Sequence, residues 1–228
     1  NKNSGSGDFL PRDLQLFPEA FFHVEANQSV KLFVICELYG TMKKVLEAAC
    51  FAARKHRKQK RKGIDGTPYI NHPLEVAWLL NAVGGVTDEE VLSAAILHDT
   101  VEDSGTTPEE LEAHFGKVVA GYVIEVSDDK ELPKEERKRL QVEHAPHLTY
   151  GAKLIKIGDR IANLRSIVSD PPSGWPVEQQ IRYFEWSRAV FTALGPINAP
   201  LEELFLREYE EGFRIVAARN NSSEETMK

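Results

Sequence analysis

The chain has 228 residues, which indicates one medium-sized domain with extensions. Its 28 Lys and Arg residues and 35 Asp and Glu residues give a net charge of −7, which argues against a general nucleic-acid coat and against a surface for anionic membranes. With 42% hydrophobic residues the chain can bury a core, so global disorder is excluded.

Cysteine content and hydropathy exclude further classes of protein. Cys36 and Cys50 form no CxxC metal-binding pair and cannot supply a dense disulfide framework, so a reduced, cytoplasmic compartment fits the chain best. No run approaches the roughly 18 apolar residues that a transmembrane helix needs, and no membrane partner is expected. Residues 1–8 are polar and Gly/Ser-rich without the order of a signal peptide, and we interpret them as a flexible lead-in or tag remnant.

Residues 1–40 are predicted to form an extension, partly flexible, in front of the main domain. Within it, residues 30–39 are apolar and partly β-branched or aromatic, which is compatible with a helix or with a strand. From residue 41 the pattern becomes helical, because apolar side chains recur every three to four residues. These side chains are Val45, Leu46, Ala49 and Ala53.

Capping patterns predict where the next helices begin. Pro73 can occupy the first position of a helix that starts directly after His72. Thr87 is predicted to cap a further helix, with Glu90 three residues on as the second half of a capping box. The apolar pattern predicts that this helix continues to Val101.

The same device recurs at Thr107, with Pro108 and an acid after it, and Gly116 ends that short helix. The sequence therefore predicts an all-α fold of about eight to nine helices, in one domain over 41–217 with a disordered tail over 218–228. The remaining predicted helices are 117–127, 134–144, 151–168, 177–194 and 201–216.

Seven of the 28 basic residues lie in one strip, residues 54–62, which leaves 21 basic residues against 35 acidic ones elsewhere. Such a strip is typical of a solvated helix face, and it also suits a nuclear-localisation or RNA-binding patch. No aromatic residue interrupts it to serve as a stacking platform for bases. We therefore expect no long nucleic acid as a partner.

Acidic and imidazole side chains are concentrated in residues 98–103. If the helix continues through them, Glu102 lies one turn beyond His98 and Asp103 one turn beyond Asp99. The apolar run before them places this cluster at the edge of the interior, where burying it unpaired is costly and a divalent cation would offset that cost. An ordinary charge cluster at a solvated helix end is the alternative.

Two other segments carry polar residues next to predicted helices. His72 stands where its ring can point into a site, although a histidine before a proline is more often a cap or a satisfied polar residue. Asp159 lies in a strongly apolar helix, with Asn163 one turn on along the same face. A single aspartate there can simply pair with Arg160 or Lys156.

Taken together, these segments resemble a known family. The order of His72, His98-Asp99 and Asp159 resembles that of the metal ligands in HD-superfamily metallophosphohydrolases. The longer motifs look like the hydrolase domain of the RelA/SpoT family, and are most similar to the stand-alone small alarmone hydrolases that include the metazoan SpoT homologue. The likeness covers about residues 43–190, with motifs at 66–73, 97–103 and 158–164.

The resemblance implies an HD-domain helical bundle with one metal site. Two imidazoles and two carboxylates with open coordination positions suit Mn²⁺ or Fe²⁺ better than a structural zinc. The resemblance implies Mn²⁺, with Fe²⁺ or another divalent cation as the alternative. Glu102 is assigned the role of base or water-positioning group, and Asp103 a supporting role. The implied metal ligands are His72, His98, Asp99 and Asp159.

The implied reaction is hydrolysis of the 3′-pyrophosphate of guanosine 3′,5′-bis(diphosphate), or of the related pentaphosphate, to GDP or GTP and pyrophosphate. The partner is thus a small, highly phosphorylated nucleotide, which needs cationic walls. Family members use basic residues at the end of the strip near the base and phosphates. The residues expected to bind substrate are Arg61, Lys62, Lys134, Arg137, Asn163 and Tyr183.

Two positions that are basic in the family depart from its pattern, besides Ala162, which stands where an aromatic residue often precedes the asparagine. Arg160 stands where lysine is usual, and Gln179 stands where the most similar members are expected to have an arginine that reaches substrate phosphate. The second departure leaves open a related activity, removal of the 2′-phosphate of NADPH or hydrolysis of another phosphorylated nucleotide. The lesser alternative is an inactive nucleotide-binding module, against which the complete set of site residues argues. The pattern predicts no particular oligomeric state.

Overall fold

A computed structural model describes the backbone of residues 28–225 and the side chains of residues 42–219. The predicted lead-in over 1–8 and most of the predicted extension over 1–40 lie outside these residues. The chain divides into two units, Asn1–Leu38 and Tyr39–Lys228, and the side chains considered below all belong to the second. The domain boundary predicted at 41–217 stays a prediction.

Ten α-helices account for most of the described residues. Between residues 28 and 225, extended pairing is confined to two isolated bridges, Lys60 with Pro68 and Gly63 with Pro172. The all-α fold predicted from the sequence is confirmed. The helices are α1 (Gln28–Lys55), α2 (Asn71–Ala82), α3 (Glu89–Leu97), α4 (Thr100–Ser104), α5 (Pro108–Phe115), α6 (Lys117–Val126), α7 (Lys134–His144), α8 (Tyr150–Ser169), α9 (Val177–Leu194) and α10 (Ala199–Glu225).

The predicted helix bounds hold closely for α6 to α9 and less well for their neighbours. The segment 30–39, for which helix and strand were both open, lies within α1. α2 begins before Pro73, so His72 lies within its first turn. α10 runs to Glu225, past the predicted end at 216 and into the predicted tail, whose last residues, 226–228, are not described. No helix of the described part of the chain is long and apolar enough to span a membrane.

Side-chain caps decide where two of the helices begin. Thr107 caps α5 as predicted, because its hydroxyl accepts a hydrogen bond from the backbone N–H of Glu110 at 3.2 Å. The cap predicted at Thr87 is wrong. Asp88 caps α3 instead, and its carboxylate accepts the backbone N–H of Glu90 at 2.8 Å. The carboxylate of Asp88, one residue later, accepts hydrogen bonds from the unpaired backbone N–H groups at the start of α3. Its negative charge also interacts favourably with the positive end of the helix dipole.

The helix predicted to continue to Val101 is interrupted in the middle. α3 ends at Leu97, and His98 and Asp99 form a turn before α4 begins at Thr100. The Thr100 hydroxyl donates to the carbonyl of Leu97 at 2.7 Å, which competes with the helical hydrogen-bond ladder at this point. The turn places His98 and Asp99 at the joint between two helices.

α8 lies at the centre of the domain and packs against α2, α3, α6, α9 and α10. Its Ile155, Ile157 and Ile161 are fully buried. A side chain at Gly158 would place its Cβ only 3.0 Å from a methyl carbon of Leu80 on α2. Glycine therefore lets α2 and α8 approach closely, and this contact sets the first turn of α2 beside the middle of α8.

Candidate active site

The four predicted metal ligands converge on one point. The ligand atoms of His72, His98 and Asp159 all lie within 4.8 Å of one another. His72 Nε2 is 3.1 Å from Asp159 Oδ1, and His98 Nε2 is 3.8 Å from the same oxygen. Asp99 joins them, since its Oδ2 lies 3.0 Å from His98 Nε2 and 3.7 Å from His72 Nε2. α2, the α3–α4 turn and α8 thus build one cluster, which we call the ligand cluster.

The ligand cluster fits a divalent cation. Nδ1 of His98 lies 2.7 Å from the carbonyl oxygen of Ala95, to which it can only donate, so the neutral ring carries its free lone pair on Nε2. That Nε2 is buried and has no hydrogen-bond partner within the described residues. Imidazole nitrogens and carboxylate oxygens are the donors that Mn²⁺ or Fe²⁺ accepts in an open site. The binding role of these four residues stays a prediction.

Charge within the ligand cluster is strongly coupled. Burial tends to raise the pKa of Asp159, but the guanidinium of Arg160 and the ring of His72 outweigh it and hold that pKa well below the ordinary value. Burial likewise tends to raise the pKa of Asp99, but His98 and His72 together outweigh it and lower that pKa. Burial tends to lower the pKa of His98, but contacts with Asp99 and Asp159 contribute to a net rise of that pKa to about 9. Two ionised carboxylates therefore attract positive charge, which a divalent cation would supply in place of the His98 proton.

Two connected cavities open onto the ligand cluster. The inner cavity, of about 250 Å³, contains the four cluster residues in its wall. The outer cavity, of about 320 Å³, lies beside it and is lined by residues of the basic strip, including Arg61 and Lys62. Six residues line both cavities, so the two spaces adjoin each other. They are Lys62, Tyr69, Asp99, Glu102, Asn163 and Tyr183.

The two predicted catalytic acids have different environments. Glu102 lines both cavities, and its Oε1 accepts the backbone N–H of Asp128 at 2.8 Å. Burial raises the pKa of Glu102 to about 7, and this backbone hydrogen bond opposes the rise. Asp103 lines only the outer cavity, where Gln59 and Lys130 donate to its two oxygens at 2.9 and 2.6 Å. Both oxygens of Asp103 thus accept hydrogen bonds from side chains, whereas Glu102 accepts one hydrogen bond, on Oε1.

Backbone contacts hold the loop that carries the cationic side chains. The N–H of Arg61 donates to the carbonyl of Thr67 at 2.9 Å, and the N–H of Ser173 donates to the carbonyl of Lys62 at 2.8 Å. A Cβ at Gly63 would lie 1.8 Å from a carboxylate oxygen of Asp170, so any other residue at this position would displace the Asp170 side chain. The end of the basic strip is therefore fixed at the mouth of the outer cavity.

Two of the predicted substrate residues lie away from both cavities. Lys134 lines neither cavity, and its Nζ lies 5.4 Å from the ring centre of Trp175, which does line the outer one. Arg137 lies beyond the inner cavity, with Nη1 3.9 Å from Asp128 Oδ2. By contrast, Asn163 and Tyr183 line both cavities.

Comparisons with known proteins show the family to which the chain belongs. The family model described as the HD domain matches residues 48–195. The chain belongs to the HD-domain family. Its HD domain resembles that of guanosine-3′,5′-bis(diphosphate) 3′-pyrophosphohydrolase MESH1 from Homo sapiens, with 56% identity over 159 residues, 70% of this chain and 89% of the human protein. The corresponding protein of Xenopus tropicalis is 54% identical over 158 residues, 69% of this chain and 88% of the frog protein.

A solved structure is similar as well. It is described as a metazoan orthologue of SpoT that hydrolyses ppGpp and plays a role in starvation responses, and it superposes with a TM-score of 0.72 at 44% identity. The match covers 74% of this chain and 94% of that one. The resemblance to the RelA/SpoT hydrolase group, predicted from three motifs, is confirmed.

Three residues of the HD domain that were not predicted as site residues contact the ligand cluster or its surroundings. The Tyr69 hydroxyl donates to Asp99 Oδ2 at 2.6 Å. The guanidinium of Arg160 donates to Asp159 and lies 4.4 Å from the ring centre of Trp186. The spacing of two of these residues could have pointed to the site, because Tyr69 precedes His72 by three residues and Trp186 follows Tyr183 by three.

Lys156 is a fourth such residue. It is buried in the wall of the inner cavity, and its ammonium donates to the carbonyl of Val126 at 2.8 Å. Burial, followed by the charge of Arg160, lowers the pKa of Lys156. From the sequence, Lys156 was considered only as a possible partner for Asp159. No spacing pattern indicated that its ammonium instead donates to the last carbonyl of α6.

Proposed function

We propose that this chain hydrolyses the 3′-pyrophosphate of guanosine 3′,5′-bis(diphosphate), and of the related pentaphosphate, so that water and substrate give GDP or GTP and pyrophosphate. One observation carries the proposal: a cluster of two imidazoles and two ionised carboxylates lies in the wall of a cavity that adjoins a second, cation-lined cavity. The first suits a metal ion and the second a polyanion. The nucleotide itself is the one on which the similar MESH1 proteins are named as acting.

In this proposal His72, His98, Asp99 and Asp159 hold one divalent cation, which is Mn²⁺, with Fe²⁺ as the alternative. The cation, once bound, would act as a Lewis acid on a phosphoryl oxygen and make an adjacent water molecule more acidic. The protein's own part begins with orientation. Tyr69 donates to Asp99, while Asn163 and Arg160 donate to Asp159, so both carboxylates are held in place.

Glu102 is the proposed proton acceptor. Its carboxylate lines the inner cavity, and a pKa of about 7 places it near the pH at which it is both ionised and basic enough to take a proton from water. Asp103 supports the site from the outer cavity, where its ion pair with Lys130 keeps that lysine close to the substrate's path.

The cationic side chains would bind the anionic substrate. Lys62 lines both cavities and is the proposed contact to the phosphates nearest the ligand cluster, while Arg61 faces the outer cavity. Tyr183 and Asn163 provide polar groups at the junction for the nucleoside. Lys134 and Arg137 are proposed as more remote contributors to the positive field.

We also propose that the chain binds a small nucleotide substrate but no long nucleic acid, and that it is located in the cytoplasm. The free thiol of Cys50 and the absence of a CxxC pair from the sequence support a reduced compartment. Outside the basic strip the sequence has 35 acidic residues against 21 basic ones, which disfavours long nucleic acids.

The deciding experiment incubates the purified chain with guanosine 3′,5′-bis(diphosphate) and Mn²⁺ and measures GDP and pyrophosphate. We expect both products in equal amounts, and no turnover after chelation. A parallel incubation with NADPH measures free phosphate, since Gln179 leaves that alternative open. Phosphate from NADPH without pyrophosphate from the alarmone would replace the proposal with the 2′-phosphatase activity, and no product from either substrate would favour an inactive binding module.

A further inference from the structure

Asn163 joins a cation of the outer cavity to the ligand cluster. Its Oδ1 accepts a hydrogen bond from the guanidinium of Arg61 at 2.9 Å. Its Nδ2 donates to Asp159 Oδ1 at 2.6 Å. Only this orientation of the amide satisfies both partners, because a guanidinium can only donate and a carboxylate can only accept. Asn163 is therefore locked at both ends.

Tyr69 makes a second connection from the same arginine. The guanidinium carbon of Arg61 lies 5.6 Å from the centre of the Tyr69 ring, and the hydroxyl of that ring donates to Asp99 Oδ2. The two carboxylates of the ligand cluster are thus each held by a residue that Arg61 contacts. Arg61 itself lines the outer cavity and not the inner one.

We propose that Arg61 is a positioning residue for the ligand cluster, and that it strengthens cation binding through Asn163 although it carries the wrong charge for a direct effect. The cation concerned is the divalent ion of the proposed function, on which this inference rests. Fixing Asn163 keeps Asp159 Oδ1 in the orientation in which His72 and His98 face it.

The positioning role and simple electrostatics predict opposite changes in cation affinity when Arg61 is replaced. Removing a positive charge near a cation site lowers the repulsion that the cation meets, so charge alone predicts tighter binding when Arg61 is neutralised. Loss of the hydrogen bond to Asn163 predicts weaker binding. Lys62 is the matched control, since it carries the same charge and lines the inner cavity directly, but makes no hydrogen bond to Asn163 or to a cluster carboxylate among those found in the described residues.

The test measures Mn²⁺ affinity of metal-stripped full-length protein by electron paramagnetic resonance of free Mn²⁺, without any nucleotide. We expect Arg61→Met to weaken binding by about 3–10-fold and Asn163→Ala by about 10-fold, within the range found for groups that orient metal ligands. Lys62→Met should leave the affinity unchanged or increase it. In the Asn163→Ala background the Arg61→Met change should weaken binding much less than it does in the wild type, because only the contact with Tyr69 is then lost.

Equal or tighter Mn²⁺ binding by Arg61→Met, or full additivity with Asn163→Ala, overturns the positioning role. Arg61→Leu, which also lacks a donor, gives the same comparison if the methionine variant does not fold, and thermal melting of the metal-free variants checks folding. The proposed function fails separately, if the wild type binds Mn²⁺ and shows this pattern but releases no pyrophosphate. Wild-type protein that binds no Mn²⁺ contradicts both.

Discussion

The ligand cluster and the outer cavity adjoin each other, yet they are built in opposite ways. His72, His98 and Asp159 are only 4–7% exposed and lie on packed helices or at the joint between them. Arg61 and Lys62 lie on a loop, and Lys62 is exposed to solvent. Burial makes every unpaired polar atom costly, so the cluster is fixed by its surroundings. The loop is fixed by its backbone and by the contacts of Arg61 with Asn163 and Tyr69, while the exposed side chain of Lys62 can meet a ligand.

This difference separates two kinds of property. Changes in the ligand cluster are expected to decide whether any reaction occurs, because they alter the charge and orientation of buried groups. Changes in the outer cavity, apart from Arg61, are expected to adjust how well a given nucleotide binds, because exposed charges act through a high-dielectric medium. The following predictions test that separation, from the largest expected effect to the smallest.

Asp159→Asn should nearly abolish pyrophosphate release. It removes a charge that Arg160 and His72 hold in the ionised form, while the shape of the side chain is kept. We expect a loss well beyond the about 10–100-fold that follows loss of a contact behind a metal ligand, together with loss of bound Mn²⁺ measured by elemental analysis. Glu112→Gln, an exposed acid near Lys117, is the control and should match the wild type. Activity retained in Asp159→Asn would refute the assigned site.

Glu102→Gln should reduce kcat by about 100–1,000-fold, as expected for loss of a general base, without loss of Mn²⁺. The base must be ionised, so wild-type activity should fall as the pH falls through the pKa of Glu102. That pKa is about 7 without a cation, and a divalent cation nearby lowers it, which places the acid limb below 7. Rate profiles should lose this limb in Glu102→Gln. Asp103→Asn should cost less, and a larger loss there would exchange the two roles.

Gly158→Ala should destabilise the fold by about 1–3 kcal/mol, because the new methyl group would overpack against Leu80 and separate α2 from α8. Urea denaturation measures the change. Gly121→Ala is the matched control, since a Cβ there meets no atom within 4 Å and replaces glycine inside α6. That control should gain about 0.5–1 kcal/mol. Equal stability of both variants would show that α2 and α8 do not depend on the close contact.

Tyr69→Phe should weaken Mn²⁺ binding by about tenfold and leave the fold intact. The ring under Arg61 remains, but the hydroxyl that donates to Asp99 is removed. Isothermal titration with Mn²⁺ measures the effect. Tyr150→Phe, which changes an exposed tyrosine at the start of α8, should bind Mn²⁺ as the wild type does. An unchanged affinity in Tyr69→Phe would mean that the cluster does not need this contact.

Lys62→Met should raise KM for the alarmone by about 3–10-fold with little change in kcat, because an exposed charge contributes mainly to binding. Lys117→Met removes a charge of equal size from the largely exposed side chain of Lys117 and should change neither constant. Steady-state kinetics at fixed Mn²⁺ distinguish the two. A fall in kcat as large as the rise in KM would show that Lys62 contributes to turnover as the ligand cluster does, which would contradict the separation between the two regions.

Local sequence patterns predicted much of the fold. The apolar spacing predicted α6 to α9 closely, and the Thr107 cap was correct, because these signals depend on residues within one or two turns. The patterns failed where side chains compete with the backbone. The hydroxyl of Thr100 and the carboxylate of Asp88 set the end of one helix and the start of another, and neither follows from hydrophobic periodicity.

For the site, the sequence by itself determined the types of donor and their order along the chain, since imidazoles and carboxylates in apolar segments demand a compensating charge. Tertiary structure decided the rest. Asn163 was predicted to bind substrate and to share a helix face with Asp159, but only the packing of α8 against the loop before α2 made it a bridge between Arg61 and Asp159. Lys134 and Arg137 had the right charge but lie outside both cavities. Distances between residues far apart in sequence depend on how helices pack, which no local pattern encodes.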